Sequence, residues 1–462
     1  MDEAEGATTV KFTQYYLECL SQASYLIGDE TTGRAVVVDP RRDVEEYLAD
    51  AADEGLTIDY VIETHLHADF LSGHLELAKA TGATVIYGES ADVHFSHRKV
   101  RDGERVGLGE VVLEFRATPG HTPESISIVF WEKGDAAPYG VLTGDTLFIG
   151  DVGRPDLVSS QGRTAAEMAE QLYESLRTKL LTLPDDTRVY PAHGAGSACG
   201  KNLSTETFST IGEQRRTNYA LRARTADEFV HAVTEGQSRP PDYFAHVAAL
   251  NREPHLLLDE HKVQPRSLDD VLDHQAKGAI VLDVRSSEAF ARAHLRGSLN
   301  VGLEGRFAEY AADVVDTEDN IVLVCEPGSE QVARVRLSRV GLDSVIGVLD
   351  QPTVAFAERP DVVEIRSRIT AWQLADVMTS VADLVVLDVR SRTERAGGAI
   401  EPSVHIPISE LAARIGELTP TRPLVAYCAG GYRSSIAASL LRSRGFADVS
   451  DLICGYQAWA AT

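Results

Sequence analysis

The sequence predicts an α/β protein of about three domains. Its 462 residues are too many for one hydrophobic core, because domains average roughly 150 residues. In the N-terminal half, short apolar runs that end in turn or polar residues alternate with helix-like patterns. The C-terminal half repeats one strand, loop and helix pattern at a spacing of about 105 residues. These observations favour a mixed α/β domain followed by two parallel α/β domains.

The N-terminal part contains four strand-like runs within residues 8–132, which read YYLECLSQASYLIGD, GRAVVVDP, DYVIETH and VVLEFRATPGHT. Helix-like patterns at 43–53 and 72–81 separate them. Each run ends in a loop, where a scaffold usually carries its site residues. A Pro- and charge-rich passage at 236–266 has weak periodicity and is typical of a domain boundary. We therefore expect the first domain at 1–255.

The rest of the chain is an internal duplication. AIVLDVRSSEAFARAHLRGSLNV is echoed by LVVLDVRSRTERAGGAIEPSVHI, and Asp283 lies 105 positions before Asp388. In each copy an apolar strand leads to a loop and then to an amphipathic helix, which predicts a parallel sheet. A period of this length is a whole-domain repeat. We expect the two domains at 256–360 and 361–462.

The composition favours an enzyme acting on small molecules. Hydrophobic residues make up 44% and charged residues 25%, as in ordinary globular proteins. Acidic residues outnumber basic ones by 70 to 44, giving a formal net charge of −26. Such a charge repels nucleic acids and anionic membrane surfaces. We therefore expect no nucleic-acid partner and no membrane partner.

The cysteine usage predicts a reduced, cytoplasmic chain. The N-terminus MDEAEGATTVKF has no signal-peptide pattern, and no run of 18 apolar residues occurs. Five widely spaced cysteines do not form a disulfide framework, so any of them is free for chemistry. Cys19, in a strand-like run, and Cys454 are expected to be packing residues. We also expect a homo-oligomer.

A cluster of metal-binding side chains follows the apolar run YVIE. The segment reads THLHADF, so His65, His67 and Asp69 present two imidazoles and a carboxylate within five residues. These donors suit zinc, iron or manganese. The segment therefore predicts part of a metal site at the carboxyl end of a strand.

Three further loops complete the predicted metal site. His121 lies in PGHT, Asp145 in TGDT and His193 in PAHG, each after a strand-like run. Any one of these histidines alone would be interpreted as a hydrogen-bonded loop or core residue. Four such loops, each closing an apolar run, make that interpretation improbable.

THLHAD, PGHT, TGDT and PAHG together resemble the metallo-β-lactamase superfamily over about residues 10–250. The resemblance implies an αββα sandwich with the metal at one edge of its two sheets. Two-metal hydrolases of this superfamily, such as glyoxalase II, read His-x-His-x-Asp-His, and the last histidine binds the second metal. This sequence has Phe70 there. A phenyl ring has no lone pair to donate, so the departure favours a single metal.

One branch of this superfamily, the persulfide dioxygenases, keeps a single iron. The resemblance implies one Fe(II) per chain, held by His65, His121 and Asp145, with zinc possible as purified. Two histidines and one carboxylate leave coordination positions open for substrate and O₂. The remaining three candidates would act as supporting or alternative ligands; they are His67, Asp69 and His193.

Two residues beside the metal motifs have competing interpretations. Cys199, in AHGAGSACGKN, is either a small buried packing residue or a substrate-binding thiol that accepts sulfur near the metal. A glycine-rich loop is a poor place for packing alone. Arg154 either binds an anionic carrier thiol or ties a loop, and we favour the loop.

Cys428 is the predicted catalytic nucleophile of the C-terminal copy. It lies in YCAGGYRSS, after the apolar strand PLVAY and before a helix. Converging amide dipoles there lower the pKa of a thiol. Gly431 and Arg433 are the predicted substrate-binding residues, with Arg433 supplying positive charge for thiosulfate or sulfite. CAGGYR closes in six residues, shorter than the phosphatase Cys-loop.

With LDVRS upstream and CGYQAW downstream, this loop resembles the rhodanese family over about 365–460. The resemblance implies that Cys428 carries a sulfane sulfur. The first copy reads CEPGSE, so Glu326 and Glu330 disfavour a thiolate at Cys325. Pro327 also removes one amide donor. We therefore interpret the first copy as a degenerate rhodanese-like domain with a structural or docking role.

The domain order resembles the persulfide dioxygenase–sulfurtransferase fusions. The resemblance implies that a low-molecular-weight thiol persulfide and O₂ give sulfite, and that Cys428 makes or uses thiosulfate. The leading alternative is a mononuclear zinc thioester hydrolase of glyoxalase II type. A third is a non-catalytic sulfur-binding protein. The carrier thiol stays open among glutathione, coenzyme A, bacillithiol and mycothiol, as does the direction of sulfur flux.

Overall fold

The computed structural model describes residues 9–157, 162–259 and 261–462. The chain divides into two compact units. The first contains the described residues up to Pro240 together with Phe244–Leu258, and the second contains Pro241–Tyr243 and Asp259–Thr462.

The first unit contains two six-stranded sheets. In the first sheet the strands are adjacent in chain order; β1 to β3 are antiparallel and β3 to β6 are parallel. Its strands are β1 (Val10–Leu17), β2 (Gln22–Asp29), β3 (Arg34–Val38), β4 (Thr57–Ile62), β5 (Thr84–Gly88) and β6 (Arg98–Val100). Successive side chains of a strand point to opposite faces, so Val36 and Val38 of β3 face the central core and Val37 packs on the other face, with Tyr47.

The second sheet is also adjacent in chain order, with only β10 and β11 parallel. Its strands are β7 (Arg105–Gly107), β8 (Val111–Ala117), β9 (Ile126–Glu132), β10 (Gly140–Gly144), β11 (Arg188–Pro191) and β12 (Ser209–Thr210). Since β9 is antiparallel to both β8 and β10, the carboxyl ends of β8, β10 and β11 lie at one edge of the sheet.

Helices cover the outer faces of both sheets. They are α1 (Glu45–Asp53), α2 (His74–Thr81), α3 (Ala165–Ser175), α4 (Ile211–Thr217), α5 (Ala226–Thr234) and α6 (Tyr243–Leu250). The central core joins the two sheets through side chains such as Val36 and Phe115. Tyr47 of α1 packs on the first sheet, and Leu172 of α3 packs on the second. The predicted αββα sandwich is therefore confirmed.

The second unit begins with a five-stranded parallel sheet in the order β13-β18-β17-β14-β16. A small pair, β15 and β19, is antiparallel. The strands are β13 (Pro265–Arg266), β14 (Ile280–Asp283), β15 (His294–Leu295), β16 (Leu299–Asn300), β17 (Ile321–Val324), β18 (Val345–Leu349) and β19 (Val363–Glu364). The helices are α7 (Leu268–Ala276), α8 (Ser287–Arg292), α9 (Phe307–Ala312), α10 (Glu330–Ser338) and α11 (Pro352–Glu358).

The last part repeats this arrangement in the order β20-β24-β23-β21-β22, again all parallel. The strands are β20 (Arg368–Ile369), β21 (Val385–Asp388), β22 (Val404–His405), β23 (Leu424–Tyr427) and β24 (Val449–Leu452). The helices are α12 (Ala371–Ser380), α13 (Arg392–Ala396), α14 (Ile408–Arg414), α15 (Tyr432–Ser443) and α16 (Gly455–Ala460). The duplication thus produces two parallel α/β domains, as predicted.

Two cysteine predictions are wrong. Cys19 lies in the turn between β1 and β2 and is only partly buried, because the strand ends at Leu17. Cys454 is exposed and adopts a left-handed backbone with φ of 57° ahead of α16, so it does not pack. In the described part of the chain, no helix combines the length and apolarity needed to cross a membrane.

Candidate metal centre and cysteine loops

Three of the predicted metal ligands meet at the carboxyl edge of the strands. His65 follows β4, His121 follows β8 and Asp145 follows β10 directly. The Ile126 amide donates a hydrogen bond of 2.8 Å to the Thr64 carbonyl, which ties the His65 loop of the first sheet to the second sheet. The fold thus brings together ligands that lie 80 positions apart from first to last.

The geometry of this group suits a cation. Asp145 Oδ2 lies 3.7 Å from His65 Nε2 and 3.3 Å from His121 Nε2, and all three side chains are buried. His65 Nε2 and both Asp145 oxygens have no hydrogen-bond partner among the described residues. Buried polar atoms are normally satisfied, and one ligand atom from each of the three residues lies within 4.8 Å of the others, so the group fits a metal ion.

Hydrogen bonds fix the tautomer of both histidines. The Thr64 hydroxyl donates to Asp39 Oδ2 at 2.8 Å, so it accepts from His65 Nδ1 at 2.9 Å. His121 Nδ1 donates to the Arg154 carbonyl at 2.9 Å. Each Nε2 therefore keeps its lone pair, which is the arrangement that metal-binding histidines use. Burial lowers the pKa of both imidazoles, and for His65 well below its usual range.

His67 packs against His65, with ring centroids 4.2 Å apart, but its donor atoms do not belong to this group of three. Its Nε2 is 3.1 Å from Asp39 Oδ1 and 3.3 Å from Glu63 Oε2. Burial opposes protonation, but the two carboxylates raise the pKa of His67 well above its usual range. The contact of Nε2 with two carboxylates favours a supporting role for His67.

A second donor group adjoins the first. His193 Nε2 lies 3.3 Å from Asp69 Oδ2 and 3.6 Å from Asp145 Oδ1, and His67 completes a group of donors with Asp69 and His193. Phe70 is buried with its ring centroid 4.4 Å from that of His67. An apolar ring thus occupies the position where the sequence lacks a second-metal histidine.

Cys199 is buried beside Asp145 and His193, and its sulfur lies within 4.8 Å of a side-chain donor atom of each. Burial, together with the charges of Asp69 and Asp145, raises the pKa of its thiol. Arg154 holds this loop, because its amide donates to the Cys199 carbonyl at 2.9 Å and its guanidinium donates to the Ala198 carbonyl at 3.0 Å.

Arg154 itself is fully buried and bound by Asp156 at 2.6 and 2.8 Å. Its role is therefore to tie loops together, as favoured from the sequence. Gly153 is needed for a close approach: a Cβ there would lie 1.9 Å from the Asp145 carbonyl oxygen and 3.0 Å from His121 Nδ1.

The Cys428 loop presents its sulfur to an amide and to the start of a helix. The Gly431 amide donates to Cys428 Sγ at 3.1 Å, and Ser434 Oγ lies 3.6 Å from the same sulfur. Gly431 has a φ of 100°, which favours glycine. The Tyr456 amide of α16 donates to the Cys428 carbonyl at 2.7 Å and fixes the loop from behind.

Arg433 is not the uncompensated cation that the loop sequence predicts. Both of its amino nitrogens lie 2.7 Å from the carboxylate oxygens of Glu394 in α13. Burial alone would raise the pKa of Glu394, but the arginine lowers it to about 2. The Glu394 carboxylate therefore reduces the positive charge that Arg433 presents to an anion approaching Cys428. Glu394 was missed because it lies 34 positions before Cys428 in the sequence.

The Cys325 loop differs at each of these points. The Gly328 amide donates to Glu330 Oε2 at 2.8 Å. Burial, with the charges of Glu330, Asp283 and Glu326, raises the pKa of Cys325 to about 11. A thiol with this pKa is protonated at neutral pH and is a poor nucleophile.

The first copy also packs against the second within the same unit. The Tyr432 hydroxyl donates to the Gly302 carbonyl at 2.5 Å, and the rings of Tyr310 and Tyr432 are 5.6 Å apart. Ser435 donates to Asn300 Oδ1 at 2.8 Å. These contacts hold α15, which begins at the Cys428 loop, against the first copy.

Asp39 and Glu63 were also missed from the sequence. Both lie in loops that follow strands, Asp39 after β3 and Glu63 after β4. The sequence feature that could have identified them is an acidic residue directly after a buried strand. The His-x-His-x-Asp pattern identifies candidate ligands but carries no information on the carboxylates that orient them.

Comparisons with known proteins match both parts of the chain. The model of the metallo-beta-lactamase superfamily matches residues 17–193, and the model of the rhodanese-like domain matches 267–358 and 371–462. Persulfide dioxygenase ETHE1, mitochondrial, from Homo sapiens is 34% identical over 213 residues, covering 45% of this chain and 74% of that protein.

Two further relatives bear on the fold and on the alternative activity. The cytoplasmic hydroxyacylglutathione hydrolase of Arabidopsis thaliana is 36% identical over 182 residues, covering 39% of this chain and 66% of that protein. A crystal structure of a metallo-beta-lactamase from Staphylococcus aureus is 32% identical with a TM-score of 0.67, covering 74% of this chain and 99% of that one.

Proposed function

This chain belongs to the metallo-β-lactamase superfamily and joins such a domain to two rhodanese-like domains, as in a persulfide dioxygenase–rhodanese fusion. On this premise we propose that it oxidises persulfide sulfur. The proposed reaction converts a low-molecular-weight persulfide, O₂ and water to the thiol and sulfite. Written in full, R-S-SH + O₂ + H₂O gives R-SH + SO₃²⁻ + 2H⁺. The terminal sulfur is oxidised and O₂ is reduced.

The buried group of His65, His121 and Asp145 is the observation that carries this proposal. Its donors are two neutral imidazoles and one carboxylate, and His65 Nε2 and both Asp145 oxygens have no competing hydrogen bond among the described residues. That donor set suits a single Fe(II), which when bound supplies positions for both the persulfide and O₂. Phe70 supports one ion, because it offers no donor to the site that two-metal hydrolases fill.

The surrounding side chains position this group. Thr64 and the Arg154 carbonyl hold the two imidazole rings through Nδ1. Asp39 and Glu63 bind Nε2 of His67, whose ring packs against His65. Phe70 and the buried strands exclude water, which strengthens every electrostatic interaction at the site.

The second step of the proposed function belongs to Cys428. Its persulfide would transfer the outer sulfur to sulfite, so that Cys-S-S⁻ + SO₃²⁻ gives Cys-S⁻ + S₂O₃²⁻. The Gly431 amide at 3.1 Å from Sγ stabilises negative charge on sulfur. The net charge of −26 repels sulfite, which is an anion, once it leaves the metal centre. Because the Cys428 loop is tethered to the same chain, its effective concentration is on the order of mM, which offsets this repulsion.

A zinc thioester hydrolase is the second candidate. The 36% identity to a hydroxyacylglutathione hydrolase favours it. Phe70 and the rhodanese-like domain that carries Cys428 weigh against it.

The experiment that tests the proposal is O₂ uptake by the Fe(II)-loaded chain with a panel of persulfides of glutathione, coenzyme A, bacillithiol and mycothiol. We expect uptake with at least one persulfide, accompanied by sulfite or thiosulfate. His121→Ala should abolish it, whereas His231→Ala, at an exposed histidine of α5, should not. No uptake with any persulfide would contradict the proposal.

A further inference from the structure

A cavity of about 640 Å³ opens at the carboxyl edge of the sheet in the first rhodanese-like copy. Its walls come from the loops after β14, β16 and β17, from α10, and from α15 of the second copy. The neighbouring strands β14 and β17 lead to β16 and β18 toward opposite edges of the sheet, which leaves a crevice between their loops. Open α/β sheets bind ligands in such crevices, and small-molecule sites measure roughly 300–1,000 Å³. The cavity therefore has the position and the size of a ligand site.

Part of the cavity wall is apolar. It is lined by Leu303 and Val332 of the first copy and by Tyr432 and Ile436 of the second. Val332 lies in α10, and its side chain is 53% exposed. A concave site with such side chains suits a ligand that carries an organic body, because burying that body removes apolar surface from water. An inorganic ion alone would leave these side chains in water.

The two arginines that line the cavity are already bound. The Arg285 guanidinium donates to the Asp283 carboxylate at 2.5 and 2.9 Å, so its charge is compensated. The two amino nitrogens of Arg336 donate to the carbonyls of Leu303 and Gly305. An anionic ligand would therefore find both guanidiniums engaged with other groups.

Two carboxylates of the cavity are free to bind a cation. Glu304 and Glu326 are exposed, and within the described ranges neither carboxylate takes part in an ion pair. The charge around them is also unfavourable to anions, since burial raises the pKa of the neighbouring Cys325 to about 11 with the help of three carboxylates. These carboxylates belong to Glu330, Asp283 and Glu326. A region that disfavours a thiolate also repels anionic ligands and attracts cations.

We propose that this cavity binds a small organic ammonium compound. The protonated amine pairs with the carboxylates of Glu304 and Glu326, and the apolar body packs against Val332 and Ile436. The Tyr432 ring adds to the attraction, because an aromatic face attracts a cation within about 6 Å. The site goes beyond the proposed function, since it involves neither the metal nor a bond to sulfur, and it takes the opposite charge to the thiosulfate and sulfite expected in the second copy.

Isothermal titration calorimetry of the full-length chain at pH 7 tests the site, with 2-phenylethylammonium as the probe and phenylacetate as the matched anion. Salt at about 0.15 M screens the long-range attraction of a protein of net charge −26 for any cation. We expect one equivalent of 2-phenylethylammonium to bind. Phenylacetate should bind at least roughly tenfold more weakly, because it meets carboxylates without a free cation.

A pair of double variants tests the role of the carboxylates. Glu304→Gln combined with Glu326→Gln should weaken the binding of 2-phenylethylammonium roughly fivefold or more, because both ion pairs with the amine are lost. Glu318→Gln combined with Glu358→Gln is the matched control, since it removes the same charge from two exposed glutamates of the same copy that do not line the cavity. The control should leave the affinity unchanged.

A second pair of variants tests the cavity itself. Val332→Arg places a cation and added volume in the cavity and should abolish binding, whereas Val354→Arg, at a 49% exposed valine of α11, should not. All of the substituted side chains are exposed, so these variants should fold. The inference is overturned if the wild type does not bind 2-phenylethylammonium, if phenylacetate binds as tightly, or if either test variant binds like its control. None of these measurements depends on O₂ uptake or sulfur transfer, so the proposed function can fail separately.

Discussion

The amide of Gly328 donates to the Glu330 carboxylate at 2.8 Å, whereas the amide of Gly431, at the matching position of the second copy, donates to the Cys428 sulfur at 3.1 Å. The same backbone donor is thus directed to a carboxylate in one copy and to the nucleophile in the other. This difference acts on the cysteine sulfur itself, whereas the absence of an arginine matching Arg433 from the first copy affects only the charge near it.

The two cysteines should therefore differ in sulfur transfer. We predict that Cys428→Ser abolishes thiosulfate sulfurtransferase activity and that Cys325→Ser leaves most of it. The Cys325 pKa of about 11 keeps that thiol protonated at pH 7, so thiosulfate cannot load it. Mass spectrometry after thiosulfate treatment should place one added sulfur on Cys428. Finding the added sulfur on Cys325 would show that the ranking of the loops is wrong.

The Glu394–Arg433 pair should limit anion binding at Cys428. We predict that Glu394→Gln lowers the KM for thiosulfate roughly two- to fivefold, because a partly exposed ion pair is worth ~1 kcal/mol or less. Glutamine still satisfies the Ser391 cap of α13. Glu417→Gln, which breaks the exposed pair with Arg414 in the same domain, is the matched control and should leave KM unchanged. An unchanged KM in Glu394→Gln would mean that Arg433 does not contact the anion.

Thr64 should control metal affinity without binding the metal. Thr64→Val removes the acceptor for His65 Nδ1, and we predict roughly a tenfold to hundredfold loss of iron affinity. Thr143→Val is the control, because Thr143 is equally buried but donates only to backbone carbonyls. Equilibrium competition with a chelator measures both. Equal losses in the two variants would point to a general effect of burying valine at this edge.

The two activities should act in sequence. Fed persulfide and O₂, the wild type should release mainly thiosulfate, and Cys428→Ser should release mainly sulfite at a nearly unchanged rate of O₂ uptake. Quantifying both anions decides the matter. Identical ratios of thiosulfate to sulfite in the wild type and in Cys428→Ser would mean that the sulfite formed at the metal does not react at Cys428. A collapse of O₂ uptake would mean that Cys428 supplies persulfide to the iron instead.

The sequence predicted those parts of the fold that local patterns encode. The strand-ending loops at His65, His121, Asp145 and His193 and the tandem repeat were visible as motifs. The helix-like patterns at 43–53 and 72–81 correspond to α1 and α2, which begin two residues later.

Long-range contacts were not visible in the sequence. The Glu394–Arg433 pair joins two segments 39 positions apart, and the contacts of Asp39 and Glu63 with His67 depend on the pairing of β3 with β4. Cys19 and Cys454 were wrongly placed because turn position and backbone handedness, rather than residue type, decide their exposure. No motif carried that information.

The measurement that tests the central claim most directly compares two metals on one protein. The chain is loaded anaerobically with Fe(II) or with Zn(II), and each form is given a persulfide with O₂ and, separately, a glutathione thioester. We predict O₂ uptake with persulfide by the iron form alone, at one O₂ per sulfite equivalent, and no thioester hydrolysis by either form. Thioester hydrolysis that tracks zinc, without O₂ uptake by the iron form, would contradict the account.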